Sequence, residues 1–307
     1  MSGVITTGSF PRELQAGIKN IFNVTHKSWD PIYSKIFEMA SSDKAYEVSL
    51  QRESFGLVKV KGEGSDIEMD SARQAFSPKY VHVAYGLGFV ITREAKDDNQ
   101  YGLFADGAKS LARSFAITKE INAHVLLNTA FAATSAMPGG DGIALCSTTH
   151  INGPTGGTYS NRLTVGADFS EASIEDMMKQ VMRAKDDRNK PIRLMAKTLI
   201  GHTDQAFEFE RVMNSVNRSG TANNDINAVK SLRSVANGYV LTPYLDANTR
   251  SWFLQTDADS GLKGYDRTKL EFDEDKTFLN QNTRFAGYER YSFGYGNPRA
   301  LFGSNGN

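Results

Sequence analysis

The segment Leu145-Cys146-Ser147-Thr148-Thr149-His150 sets the only thiol of the chain four residues before an imidazole. A thiol activated by a neighbouring imidazole is a nucleophile suited to acyl transfer. Four residues of separation assemble nothing by themselves, because catalytic pairs are brought together by the fold and not by sequence distance. The other chemistry-bearing types are no better placed. His26, His82, His124, His150 and His202 include no helical i, i+4 pair beside a carboxylate, and a lone cysteine excludes an internal disulfide and any multi-cysteine metal site. Gly86-Leu87-Gly88 lacks the third glycine and following helix of a dinucleotide fingerprint, and residues 102–109 do not form a phosphate loop. Those glycines fit close backbone approach within a sheet. No isolated carboxylate pair sits in an apolar surround that would separate acid and base roles. The residues therefore nominate no catalytic site, no cofactor and no metal, and the expectation is of a protein that is not an enzyme. A cytosolic hydrolase using Cys146 and His150 stays as the remote alternative.

The elements that would have to position such groups are more telling. Val81, Val83, Tyr85, Leu87, Phe89 and Ile91 alternate with His82, Ala84, Gly86 and Gly88, which is the period of a strand. Almost at once Phe104, Ala108, Leu111 and Phe115 follow helical spacing, continued after a small phase shift by Ile117, Ile121 and Val125. A helix over residues 101–131 would span about 45 Å, long enough to act as a beam.

Composition limits the classes on offer. At 307 residues, 40% hydrophobic and 23% charged, the chain can bury a sizeable core in one large or two smaller domains. Lysine plus arginine equals aspartate plus glutamate at 35 each, so no global field draws nucleic acid or an acidic membrane, and tight DNA binding is not expected. The N-terminus lacks a basic region followed by an apolar run, and no stretch approaches the roughly 18 apolar residues that span a bilayer. These features fit a cytoplasmic origin.

Along the chain, the first forty residues read as an arm and a poor core builder, with a short helix over 13–24 carrying Leu14, Ile18, Ile21 and Phe22 on one side. Trp29, Pro31, Ile32, Tyr33, Ile36 and Phe37 form a second apolar cluster. Residues 46–75 resemble a hairpin with its tip near Gly62-Glu63-Gly64-Ser65-Asp66. Arg52, Glu53, Lys59, Lys61, Glu63, Asp66, Glu68, Asp70 and Arg73 leave it few apolar side chains. It is either a solvated surface hairpin or an arm buried only on a neighbouring subunit. Met137-Pro138-Gly139-Gly140-Asp141-Gly142 breaks helix and strand, and an α/β layer follows. Its helix covers 168–185, with Ser173 as N-cap and Asp176 three residues on. A strand over 192–200 comes next, then a helix capped by His202-Thr203-Asp204 and reaching Ser215. Residues 214–227 are loop, and 239–255 read as two strands around Asp246-Ala247-Asn248. The last fifty residues return to strand character, with Tyr291, Phe293 and Tyr295 in alternation, and are expected to pack back on the beam.

This order of arm, charged hairpin, strand, beam, α/β insertion and returning strands resembles the major capsid proteins of tailed bacteriophages, of the Hong Kong 97-type fold. Gly142-Ile143-Ala144-Leu145-Cys146-Ser147-Thr148-Thr149-His150, followed by Thr158-Tyr159-Ser160-Asn161, is similar to a segment of the Mu-like major head subunit family. There Cys146 takes a position often held by phenylalanine, which favours packing over reactivity. Val240-Leu241-Thr242-Pro243-Tyr244-Leu245 through Trp252-Phe253-Leu254 resembles the family's strand, turn and Trp-bearing strand, and residues 17–38 extend the likeness.

The resemblance implies an α+β fold with an N-terminal arm (1–46), an extended E-loop (47–77), a P-domain with a long spine helix (78–135), an A-domain (136–255) and a return to the P-domain (256–307). It implies self-assembly into hexamers and pentamers that close an icosahedral shell around double-stranded DNA, in a virion assembled in the bacterial cytoplasm. A separate scaffolding protein is expected because arm-like sequence begins by about residue ten, alongside a portal and a decoration protein. Packaged DNA would be touched only weakly and without sequence preference, and no membrane is involved. Arg52, Glu53, Phe55, Lys59, Lys61, Glu63, Asp66 and Glu68 are the expected inter-subunit contacts, since alternating charge on a projecting hairpin gives register and specificity. An encapsulin-like shell of the same fold is the alternative.

Overall fold

The computed structural model describes residues 11–98, 101–132, 141–153, 157–217, 225–232, 235–279 and 281–307. In chain order these hold α1 (Pro11–Lys27), α2 (Tyr33–Ile36), β1 (Glu38–Ser41), β2 (Tyr46–Val48), β3 (Lys79–Val81), β4 (Val83–Ile91), α3 (Arg93–Asp97), α4 (Tyr101–Asn128), β5 (His150–Ile151) and β6 (Thr158–Tyr159). They continue with α5 (Glu171–Met182), β7 (Ala196–His202), α6 (Ala206–Asn214), α7 (Ala228–Ser231), β8 (Tyr239–Thr242), β9 (Trp252–Thr256), β10 (Leu262–Lys276), β11 (Thr283–Tyr295) and β12 (Leu301–Ser304). The expected breaker at 137–140 and much of the 214–227 loop lie outside the described residues.

Two four-stranded sheets organise the described residues. The first has the order β1-β10-β11-β4, with β1 parallel to β10 and the rest antiparallel. Gly88 pairs with Ala286, and a Cβ there would lie 2.5 Å from the Phe285 carbonyl oxygen, so the strand glycine does serve close backbone approach. The 28-residue helix α4 lies on this sheet. Its Phe115 ring occupies the space that a Cβ on Gly287 would need. Ile18 and Phe22 of α1 are buried with Phe104, Leu111, Phe115 and Phe285, and Phe22 stacks on Phe272 at 4.4 Å. The N-terminal stretch is therefore a core element where α1 runs, contrary to the sequence expectation. The helix expected over 13–24 is present as α1, and its Ile18 and Phe22 are buried against the first sheet and α4 instead of standing off as an arm.

The second sheet has the order β12-β9-β7-β8. Residues 239–255 form two strands that do not pair with each other: β7 lies between them, parallel to β8 and antiparallel to β9. Central β7 is buried along nearly its whole length, which erases the alternation that sequence reading relies on, and it begins at Ala196 instead of Ile192. The N-cap of helix α5 lies three residues before the expected one. Ser170 is the N-cap and Ser173 its partner, each side chain accepting from the other's N–H in a capping box. Ile174, Met177, Met178 and Val181 of α5 pack with Phe209, Trp252 and Phe302. A third cluster, including Phe37, Leu126, Leu127, Leu145, Cys146, Phe253, Tyr291 and Phe293, joins the two sheets. The returning strands split accordingly: β10 and β11 stay under α4, while β12 crosses to pair with β9.

Candidate assembly surfaces

Strands β2 and β3 pair as a hairpin base, and their legs continue through Ser49 N–H to Pro78 O (3.1 Å), Gln51 N–H to Phe76 O (3.0 Å) and Glu53 N–H to Arg73 O (2.8 Å). Beyond that rung the legs leave the ladder and turn at Gly62–Ser65, where Ser65 N–H donates to Gly62 O and Gly64 takes a φ of 76°. Val58 and Val60 are 100% exposed and Met69 88%, with Leu57 and Ile67 also open to solvent. Sequence reading weighed the charges here and missed this exposed apolar set; its signal is the residue type alone, in a segment lacking the partners that would bury it.

Of the eight nominated contact residues, Arg52, Phe55, Lys61, Glu63 and Asp66 are exposed. Lys59 and Glu68 meet across the legs at 2.6 Å. Glu53 differs: it is buried inside its own subunit, 3.7 Å from Arg188, so it is not available as a surface contact in this conformation. A turn at 186–190, not nominated from sequence, grips the loop. Ser54 N–H donates to Asp187 Oδ2 at 2.7 Å, and its hydroxyl lies 2.8 Å from Asp186 Oδ2 and 2.7 Å from Asp187 Oδ1. Lys190 Nζ donates to Phe55 O. On the returning leg, Arg188 donates to Asp70 Oδ2 (2.7 Å) and Ser71 O (2.9 Å), while Gly56 N–H donates to the same Asp70 oxygen at 2.7 Å. The Gly56 N–H and the Arg188 guanidinium hold the Asp70 carboxyl down at about 2.

Two further apolar tips stand out from the sheets. Phe278 and Leu279 are exposed at the turn between β10 and β11. Phe207, Val216, Ile226 and Leu232 are exposed around α6 and α7 beside the second sheet.

The middle of α4 is a buried polar joint. Lys119 Nζ lies 2.7 Å from Asp266 Oδ1 and 4.0 Å from Glu289 Oε2. Glu120 accepts the N–H groups of Ile32 (2.6 Å) and Tyr33 (3.1 Å). His124 Nε2 lies 3.0 Å from Thr242 Oγ1 of β8, so one helical turn bonds to the N-terminal segment and to both sheets. Burial pushes the Glu289 carboxyl up to about 7; Lys119 opposes the rise and Asp266 adds to it. Burial pulls the His124 imidazole down. The expected stripe of Ile117, Ile121 and Val125 is not the inward face. Ile117 and Ile121 are exposed and Val125 half-buried, while Lys119, Glu120, Ala123 and His124 face in.

Cys146 and His150 do not form a nucleophilic pair. Cys146 is buried against Gly303, and burial pushes its thiol well above the ordinary range, the opposite of what a nucleophile needs. His150 Nδ1 lies 2.6 Å from Asp141 Oδ2 and Nε2 lies 3.2 Å from Leu145 O, with the ring stacked on Tyr159. The neighbouring Asn161 is a clamp. Its Nδ2 donates to Leu145 O, Pro298 O and Leu301 O at 2.7–2.9 Å, and its Oδ1 accepts from Ser147 N–H. The Cys–His and Ser–Asn motifs thus tie the sheet-joining core to β12. Among the described residues no group of three or more His, Cys, Asp or Glu is arranged to hold a metal ion, and no helix is long and apolar enough to cross a membrane.

Comparison with known proteins agrees with this architecture. The chain is similar in fold to the capsid subunit of cyanophage P-SCSP1u (10% identity, 91% of this chain and 88% of that one, TM-score 0.58). It is similar also to that of the bacteriophage JBD30 procapsid (13%, 99% and 77%, 0.53) and of a virus-like particle from Pyrococcus furiosus (9%, 94% and 97%, 0.52). No curated protein matches it in sequence. An α+β subunit with an extended loop, a spine helix over a long-stranded sheet and a second α/β layer is the Hong Kong 97-type capsid fold. The phage capsid protein family model matches residues 77–303, and the chain belongs to that family.

Proposed function

We propose that this chain is a major head subunit that assembles into hexamers and pentamers and closes an icosahedral shell around packaged double-stranded DNA. The observation that carries this reading is the loop over 49–78: in a chain of the phage capsid protein family, it extends apolar side chains that no core of its own subunit uses. Exposed apolar surface of this kind marks a protein interface, and a plate with distinct edges suits heterologous contacts that close rings and then join them.

In this reading residues 47–77 are the E-loop, 78–135 with β10 and β11 the P-domain, and 136–255 the A-domain, to whose sheet β12 contributes. Residues 1–46 are the N-terminal arm, with α1 anchored on the spine helix. Arg52, Phe55, Lys59, Lys61, Glu63, Asp66 and Glu68 meet a neighbouring subunit. A separate scaffolding protein, a portal and a decoration protein are its partners, DNA contact is weak, and assembly takes place in the host cytoplasm before the subunit resides in the virion. The family match favours the phage shell over an encapsulin-like one. Electron microscopy and size exclusion of the expressed chain test the proposal. Capsomers or closed particles are expected; a small, non-assembling oligomer under all conditions, including with its scaffold co-expressed, overturns it.

A further inference from the structure

We propose that the turn at 186–190 is a preformed polar latch that fixes the direction in which the 54–72 loop leaves the subunit, and can release it without unfolding the core. The inference rests on reading that loop as the assembly arm.

The turn is built independently of the loop. Asp186 Oδ1 accepts the N–H groups of Arg188 (2.9 Å) and Lys190 (2.8 Å), Asp186 N–H donates to Lys190 O (2.8 Å), and Asn189 takes a φ of 61°. A side chain that satisfies its own turn backbone pre-organises it. The next carboxylate, the guanidinium and the lysine ammonium are thereby presented together. What they meet is the level at which the hairpin ladder stops. Glu53 N–H to Arg73 O is its outermost rung among the described residues, and the next amide, Ser54, donates to Asp187 instead of across the hairpin. On the opposite leg Arg188 takes Asp70 and the Ser71 carbonyl. The turn therefore holds both legs where they leave the ladder.

The chemistry of the grip decides what it can do. Charge-assisted hydrogen bonds are directional, so they fix an angle. They are also partly open to solvent, with the Asp70 side chain 41% and Arg188 20% exposed, and no apolar cluster of the core includes residues of the loop or the turn. Breaking the grip opens none of the three apolar clusters and, of buried groups, draws Arg188 away from the Glu53 carboxylate 3.7 Å from it, whereas a loop anchored by apolar burial could not be re-aimed so cheaply. The sequence Asp186-Asp187-Arg188-Asn189-Lys190 thus acts as a positioning element for a segment more than a hundred residues away.

The test uses the full chain and the double variant Asp187→Ala, Arg188→Ala. Amide hydrogen exchange on the unassembled subunit is expected to be at least tenfold faster at Ser54 and Gly56, with β7 and β11 protected as in wild type. Ser54→Ala, which removes only the hydroxyl contacts, is expected to raise amide exchange at position 54 less. Unchanged exchange at Ser54 and Gly56 in the double variant overturns the latch, and so does loss of protection in β7 and β11, which would make the turn a folding element. Since exchange is read before assembly, this failure is distinct from a failure of the wild type to build particles. Where wild type builds them, the double variant is expected to give irregular particles or free capsomers, and uniform shells from it overturn the positioning role.

Discussion

Glu289 shows how much a single buried proton can matter. Two carboxylates, Glu289 and Asp266, share one ammonium, Lys119, and the ammonium sits closer to Asp266. The Tyr85 and Tyr291 rings, stacked on one another, complete the surround. With the folded carboxyl raised to about 7 and an unfolded value near 4.3, the folded state holds the proton more tightly. The contribution of Glu289 to stability is fully present below the unfolded value and is lost as pH rises between the two, levelling off above 7. Glu289→Gln should flatten that decline, and the difference from wild type across the window should reach on the order of 3 kcal/mol. Denaturant titrations at pH 5 and pH 8 check this; an equal decline in both proteins would place the proton elsewhere. Cys146 makes the opposite case, a reactive type made inert. Cys146→Ala should cost on the order of 1 kcal/mol, and iodoacetamide should label wild type only on unfolding. Rapid labelling of the folded subunit, slowed in His150→Ala, would reinstate the nucleophile. The packing role of Cys146 was legible only through the family resemblance, in which its position is often held by phenylalanine. The Asn161 clamp was not, because its carbonyl partners at 298 and 301 have no local signature.

Helix α4 marks where periodicity stops being informative. From Phe104 to Phe115 the apolar spacing gives the buried face, since hydrocarbon on hydrocarbon needs no named partner. Past that point the inward positions are Lys119, Glu120 and His124, and their partners lie on residues 32–33, 242, 266 and 289. A pattern-based reading assigns charged residues to solvent, so it rotated the second half of the helix the wrong way. Leu111→Asp or Phe115→Asp should abolish soluble expression by leaving an unpaired buried charge. Ile117→Asp should fold with a melting temperature close to wild type, as the exposed face predicts. Reversal of that order would return Ile117 to the core. Helix and strand types were otherwise readable from spacing, whereas the β7–β8–β9 arrangement depends on a strand inserted from elsewhere and could not be read locally.

At the scale of the subunit, the charge balance of 35 against 35 and the exposed loop both concern contact with other molecules more than the fold itself. Replacing 57–68 with a short Gly-Ser linker should leave circular dichroism and melting near wild type while particles no longer form, because those residues belong to no core cluster. Loss of folding would instead make the loop part of the monomer's own stability. The sheets impose one more condition, on synthesis. β1 lies against residues 263–266, β4 against 283–291, β9 against 301–304, and the Asn161 clamp closes on 298 and 301. Contacts so distant along the chain close last. A ribosome must therefore release residues through 295 before the first sheet is whole and through 304 before the second is, and a chain arrested at residue 280 should stay as protease-sensitive as an unfolded one in pulse proteolysis. An interrupted translation product then never acquires the surfaces of a subunit. A polypeptide cut short is therefore expected to be cleared by proteolysis instead of occupying, and spoiling, a position in a growing shell.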